Sequence, residues 1–255
     1  MSNVKLLLVE GYQEMSKVAA QLFAQEVKRK PDLVLGLATG GTPVGMYEEL
    51  IRMHRTEGLS FSQATSFNLD EYVGLDAQHP QSYRTYMQEH LFAQIDMAAE
   101  RTNIPRGDAQ DLEQECARYE QAIAEAGGID IQVLGIGTNG HIGFNEPGSS
   151  ASSKTRVVQL TPSTIEANAR FFESVEEVPT QAVSMGIATI LGAKKIVLLA
   201  SGEAKAQAVR DMLEGEMTPD VPASLLQMHD DVTVIVDAPA ASLLSAVTIG
   251  RAKTE

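Results

Sequence analysis

Cysteine occurs once in this chain, at Cys116. Neither a disulfide framework nor a cysteine-based zinc site can form from one thiol. No basic residue adjoins it to activate the sulfur, and it reads as an ordinary helix position. Positive charge is also in short supply: 20 Lys and Arg face 34 Asp and Glu, a formal net charge of -14. That balance argues against a nucleic-acid surface or an anionic membrane surface, since both need a basic face. It leaves room for a small anionic ligand in a locally basic pocket. Long apolar runs are missing too. The first, Leu6 to Val9, is too short for a signal peptide or a membrane span, so the expectation is a soluble, cytoplasmic protein. Linkers, internal repeats and low-complexity stretches are absent. Residues 1–255 are therefore expected to form a single α/β domain.

What the chain does contain is alternation. Short apolar runs suited to buried strands occur at residues 5–9, 32–37, 64–68, 131–134, 182–185, 195–200 and 232–236, with briefer candidates at 102–104 and 155–159. Between them lie stretches of helical spacing. Tyr12 to Val27 repeats Val18, Ala19, Leu22, Phe23 and Val27 at three- and four-residue intervals. Further helices are expected over 44–54, 82–92, 111–125, 162–172, 186–191 and 204–213, and the tail from Ser242 is read as helical or frayed. Strands separated by helical crossovers make an α/β fold: an open, mainly parallel, Rossmann-like sheet with helices on both faces.

In such a sheet, ligands bind beyond the carboxyl ends of the strands, and four of those ends attract notice. The run Ile131–Leu134 breaks into Gly135-Ile136-Gly137-Thr138-Asn139-Gly140-His141-Ile142-Gly143-Phe144-Asn145-Glu146-Pro147-Gly148. Its glycines permit a sharp turn and the approach of a ligand, and into it the chain places an imidazole, a carboxylate and two amides. After Leu37 comes Ala38-Thr39-Gly40-Gly41-Thr42-Pro43 and then a helix. That is either a plain strand-to-helix turn or a phosphate cradle of free N–H groups at a helix start. It is neither a Walker loop nor a dinucleotide fingerprint. Asp70 and Glu71 follow the third strand and are either a helix cap or a catalytic pair; being adjacent, they point in different directions and should play different roles. Lys205 sits at a helix start, electrostatically misplaced unless an anion is bound there. Ser149 to Ser153 is small and polar, and is read as the mobile base of a lid.

Four blocks, taken in order, resemble the glucosamine-6-phosphate deaminases: Leu37–Pro43, Phe67–Leu75, Asn139–Pro147 and Ala167–Phe172. The likeness runs from the first strand to Val236. It implies aldose–ketose isomerisation with loss of ammonia, converting glucosamine 6-phosphate and water to fructose 6-phosphate and ammonia, without metal or redox cofactor. The resemblance assigns Asp70 as the base that moves a proton between C2 and C1, His141 to opening of the sugar ring, and Glu146 to orienting that histidine. Asn139 stands where the family often has aspartate. An amide can orient an imidazole but cannot stabilise its cation by charge, so Glu146 is expected to be the charged partner. Phosphate binding is assigned to Thr39, Gly40, Gly41, Thr42, Arg170 and Lys205, in agreement with the residue-level reading of the loop and the lysine.

The longer members of this family are hexamers activated by N-acetylglucosamine 6-phosphate through a basic cluster. Here Arg156 matches one basic position, but Val158 stands where a lysine is expected, and the chain ends soon after Arg251. The implied protein is a monomer or low-order homo-oligomer without that activation. Two other readings compete. A 6-phosphogluconolactonase shares the glycine loop and the Gly-His block but usually lacks Phe-Asn-Glu-Pro and Asp-Glu-Tyr-Val-Gly, both intact here. A non-catalytic sugar-phosphate sensor would be expected to lose the base while keeping the loop. Of the other histidines, His54 and His90 read as structural or solvated, and His79 and His229 lie near loops without an assigned role.

Overall fold

The computed structural model describes residues 4–169 and 172–254. The chain runs β1 (Val4–Val9), α1 (Tyr12–Arg29), β2 (Val34–Leu37), α2 (Val44–Glu57), β3 (Thr65–Asn68), β4 (Asp70–Tyr72), α3 (Tyr83–His90), β5 (Thr102–Asn103) and α4 (Leu112–Glu125). It continues with β6 (Ile131–Gly135), β7 (Arg156–Gln159), α5 (Pro162–Asn168), β8 (Gln181–Ser184), α6 (Ile187–Leu191), β9 (Ile196–Ala200), α7 (Ala206–Glu214), β10 (Val232–Asp237), α8 (Ala246–Ile249) and β11 (Lys253–Thr254).

Eight of these strands form one sheet in the order β11-β1-β10-β9-β6-β2-β3-β5, with every pairing parallel. The central strands are apolar at nearly every position: β9 reads Ile-Val-Leu-Leu-Ala and is buried throughout. That is the pattern of a sheet covered on both faces. From β2 the chain steps outward through β3 to β5. From β6 it steps the other way through β9 to β10. Right-handed crossovers in opposite directions put their helices on opposite faces. Accordingly α1 and α2, whose crossovers run the same way, pack together. The order reverses between β2 and β6, so the crevice at their carboxyl ends is the topological switch point of the fold.

A second, three-stranded antiparallel sheet, β4-β8-β7, stands apart from the first. The composition of its strands does not announce it. Residues 156–159 are only half-buried or exposed, and β4 is three residues long. β4 leaves β3 after Leu69 and turns to pair with β8, so the two sheets are joined through one residue. A small aromatic core fills the space beneath the second sheet, made of Tyr72, Phe144, Leu160 and Ala182 with Tyr83 and Phe172 packed on it. Tyr72 and Tyr83 lie 4.7 Å apart between ring centres, and Tyr83 stacks on Phe144 at 6.3 Å, distances at which aromatic pairs attract.

Three local readings need correction. The tail is not wholly helical or frayed: after α8, Lys253 and Thr254 pair in parallel with Leu7 and Leu8 and extend the main sheet. Helix α7 starts at Ala206, so Lys205 stands at its N-cap position rather than inside its first turn. The 149–153 segment is tied down at both ends. Ser153 Oγ accepts from the Ile187 amide at 3.0 Å, the Ser153 carbonyl accepts from Ala188 N at 2.8 Å, and Ser149 Oγ donates to the Glu146 carbonyl at 2.6 Å. The helix expected over 162–172 is met over Pro162–Asn168.

Candidate active site

Four neighbouring strands of the main sheet deliver the candidate residues at one end. β9 leads to Lys205, β6 to Asn139, His141 and Glu146, β2 to the 39–42 loop, and β3 directly to Asp70. Residues more than a hundred positions apart in sequence thus come to one end of the sheet. The Thr42 side chain lies against Gly135, 3.5 Å from where a β-carbon there would sit, which ties the second loop to the β6 turn.

The Asp70–Glu71 pair divides as strand geometry requires, since successive side chains point to opposite faces. Glu71 is buried and its carboxylate accepts three backbone N–H bonds, from Tyr72 (2.9 Å), Tyr83 (2.9 Å) and Arg84 (3.0 Å). The latter two belong to the first turn of α3, so Glu71 satisfies donors that a helix start leaves open. Asp70 points the other way. It is 6 % exposed, and burial, reinforced by the Glu71 charge, pushes its carboxyl up to about 8. Such a carboxylate is a far stronger base than an exposed one. Gly143, at φ +55°, has no side chain to fill the space beside it: a β-carbon there would lie 3.5 Å from Asp70 Oδ2, 3.4 Å from Ser184 Oγ and 3.6 Å from Asn145 Nδ2. The first adjacent carboxylate is therefore a candidate base and the second a helix cap.

His141 sits on a turn that only glycines allow. A β-carbon on Gly137 would lie 2.2 Å from the imidazole, and Gly140 has φ +82°. Asn139 Oδ1 accepts from the His141 backbone amide at 3.2 Å and stands 2.7 Å from Nδ1. Asn139 Nδ2 donates to Glu146 Oε2 at 2.8 Å. The amide orientation is fixed by both neighbours, because a carboxylate can only accept and a backbone N–H can only donate. Nδ1 must then carry the proton, leaving Nε2 as the free lone pair. Glu146 is held from its other side by Thr164 Oγ1 at 2.8 Å, and its Oε2 lies 3.7 Å from His141 Nδ1. The orienting contact that the sequence reading gave to Glu146 is thus made by Asn139, with Glu146 one bond further out. Burial lowers the His141 pKa, Glu146 opposes the shift and Lys205 adds to it, a balance that favours the neutral ring.

The 39–42 loop offers N–H groups. Those of residues 39, 40, 41 and 42 have no acceptor among the described residues, and Gly40 takes φ +88°. Lys205 makes no ion pair or hydrogen bond through Nζ with the described residues, and burial lowers its pKa. Arg170 lies outside the described residues. Arg156 donates to Asn145 Oδ1 at 2.8 Å, which braces the turn between His141 and Glu146. Thr164 and Ser184 are site-forming residues that sequence reasoning did not pick out, and nothing in their own neighbourhoods marks them; Gly143 was read only as one of the turn glycines. Among the described residues no group of three His, Cys, Asp or Glu is placed to hold a metal ion. No helix among them is long and apolar enough to cross a membrane.

A carboxyl of raised pKa, an oriented imidazole and an N–H-rich loop meet at the switch point of the sheet, and the likeness to known proteins shows the family to which such a fold belongs. The chain belongs to that family: residues 10–235 match the model of the glucosamine-6-phosphate isomerases/6-phosphogluconolactonases. Within it the likeness is to one branch. A glucosamine-6-phosphate deaminase of Clostridium perfringens is 54 % identical over 241 residues, covering 94 % of this chain and all of that one. The solved structure of a monomeric glucosamine-6-phosphate deaminase is 55 % identical and superposes with a TM-score of 0.92 over 94 % of this chain and 99 % of its own. A 6-phosphogluconolactonase from Trypanosoma cruzi shares the fold at a TM-score of 0.76, with 20 % identity, over 96 % of this chain and 99 % of its own.

Proposed function

We propose that this protein is a glucosamine-6-phosphate deaminase: glucosamine 6-phosphate and water become fructose 6-phosphate and ammonia. The observation that carries this reading is a buried Asp70, its carboxyl raised to about 8, at the same end of the main sheet as the unpartnered N–H groups of the 39–42 loop and the oriented His141. The 53–55 % identity to deaminases across nearly the whole chain supports it.

The substrate phosphate binds the free N–H groups of residues 39–42, with Lys205 and Arg170 supplying positive charge. Binding energy from this non-reacting group places C1 and C2 over Asp70. His141, through Nε2, exchanges a proton with the sugar as the ring opens. Asn139 holds the tautomer that makes this possible, and Glu146 and Thr164 hold Asn139. Asp70 removes the proton from C2 and returns it to C1. The electron pair released at C2 forms a C1=C2 enolamine as the C1 oxygen takes a proton; when C1 is protonated, the nitrogen lone pair closes a C2=N iminium, and water adds to C2 and releases ammonia and the ketose. A base near pH 8 suits abstraction from carbon better than an ordinary aspartate. The enzyme works as one α/β domain in the cytoplasm, as a monomer or low-order homo-oligomer without N-acetylglucosamine 6-phosphate activation, and without a nucleic-acid partner. The monomeric relative of 55 % identity supports the quaternary part.

The test is ammonia and fructose 6-phosphate release from glucosamine 6-phosphate, with and without the acetylated sugar. Equimolar products and an unchanged hyperbolic curve are expected. No release from folded protein overturns the reading and directs the next assay to 6-phosphogluconolactone. A sigmoidal curve relieved by the acetylated sugar overturns the non-allosteric part.

A further inference from the structure

The chain has six tyrosines, and three of them converge on the 38–42 loop from three different helices. Tyr47, in α2 and fully buried, donates to the Ala38 carbonyl at 2.6 Å and accepts from the Ala38 amide at 3.2 Å. Tyr86, in α3, donates to the Gly40 carbonyl at 2.6 Å. Tyr12, in α1, donates to the Gly41 carbonyl at 3.0 Å and accepts from Gly45 N at 2.9 Å. Three of four successive carbonyls are thereby held by phenol groups. The peptide plane links each carbonyl to the next residue's N–H, which points the opposite way. Fixing the carbonyls of 38, 40 and 41 therefore fixes the directions of the N–H groups of 39, 41 and 42.

We propose that Tyr12, Tyr47 and Tyr86 are positioning residues for anion binding, clamping the carbonyl side of this loop so that its N–H side is set toward the crevice before phosphate arrives. Without them a glycine pair would leave the loop free to rotate its peptides, and ordering them would be charged against affinity. Tyr86 adds a second link. It sits one turn into α3, whose first N–H groups are held by Glu71, the neighbour of Asp70. One short helix thus spans from the strand of the base to the loop of the anion site. Glu71 and Tyr86 together hold the distance between the two ends of the substrate.

This inference rests on the phosphate reading of the loop, so its test separates the two. Binding of inorganic phosphate is measured calorimetrically alongside steady-state kinetics on glucosamine 6-phosphate, for the parent protein, Tyr86→Phe, Tyr12→Phe and Tyr119→Phe. Tyr119 is the control: it is buried, and its hydroxyl donates to the Asn68 carbonyl at 2.7 Å, off the loop. Loss of a clamp is expected to raise both the phosphate Kd and the KM by about three- to tenfold, the worth of one hydrogen bond, with kcat changed less than about twofold. Tyr119→Phe is expected to lower Tm and leave phosphate Kd unchanged. An unchanged phosphate Kd in folded Tyr86→Phe and Tyr12→Phe overturns the clamp. So does an equal rise in Tyr119→Phe, which would mean general loosening. If the parent binds phosphate but releases no ammonia, the deaminase reading fails and the clamp is still decided by the Kd values. If the parent binds no phosphate, the clamp fails as well.

Discussion

The strands β9 and β4 are both short and both buried, yet they do opposite work. β9 is five apolar residues flanked by strands on both sides. It contributes burial, and its only chemical duty is to end where Lys205 can begin. β4 is Asp-Glu-Tyr, three residues buried at real cost: two carboxyls sit out of water next to each other, and burial pushes both pKa values up. The large sheet stores stability and the small one spends some of it on holding a base. Such separation is what a stability–activity trade-off looks like when it is resolved in space rather than within one element.

The comparison is most easily broken at Asp70. Asp70→Asn keeps the shape and removes the base, so turnover should fall by roughly 10³-fold, while the protein stays folded and still binds phosphate. The same variant tests the burial cost. An aspartate whose folded pKa lies above its unfolded one binds a proton in the folded state that the unfolded chain has already released. Its stabilising contribution is therefore complete below about pH 4 and is lost as pH rises toward about 8. Asn at position 70 should flatten that fall in a pH series of urea midpoints. Retained turnover, or an unflattened series, would refute the role.

Next in size is the opposite experiment on the other strand. Leu198→Ala in β9, at a fully buried position, should cost about 2–5 kcal/mol of unfolding free energy. Activity per folded molecule should be unchanged below the transition. If kcat fell in step with stability, the two regions would not be separable.

Two glycines sharpen the contrast further. At Gly137 a β-carbon would strike the His141 ring at 2.2 Å, and at Gly36 it would strike the Gln132 side chain at 2.1 Å. Gly137→Ala should lower kcat/KM by about 10²-fold through imidazole misplacement with little change in Tm. Gly36→Ala should do the reverse. The smallest effect is a pH displacement. Asn139→Asp puts a carboxylate in place of the amide oxygen 2.7 Å from His141 Nδ1, and an opposite charge favours the imidazolium. The His141 titration, followed by proton NMR at Cε1–H, should move to higher pH; no movement would mean Asn139 does not govern the ring.

Much of the fold was legible in the chain because periodicity and apolar runs report burial directly. Seven of the eight strands of the main sheet and α1, α2 and α4 fall where their spacing puts them, and Gly127 and Gly128, both at positive φ, end α4 as their position suggests. The second sheet was not legible as a sheet. β7 and β8 read as strands, but period and propensity do not say which partner a strand takes, and β4 is too short to read at all. β11 was missed because two residues have no period.

Composition and pattern alone set the class of architecture and placed the glycine loops, with Asp70, Asn139, His141 and Glu146, at strand ends, since glycine turns after buried runs sit where strands stop. They also left Asp70 and Glu71 with different roles, because adjacent residues face apart. The resemblance singled out Asp70, but the physical reason for the split is tertiary: Glu71 meets the N-terminus of α3, twelve residues later in the chain, and Asp70 does not. Only the tertiary structure inserted Asn139 between His141 and Glu146 and brought three tyrosines from three helices onto one loop. Those are contacts across long stretches of chain, set by how layers pack, and no local pattern encodes them.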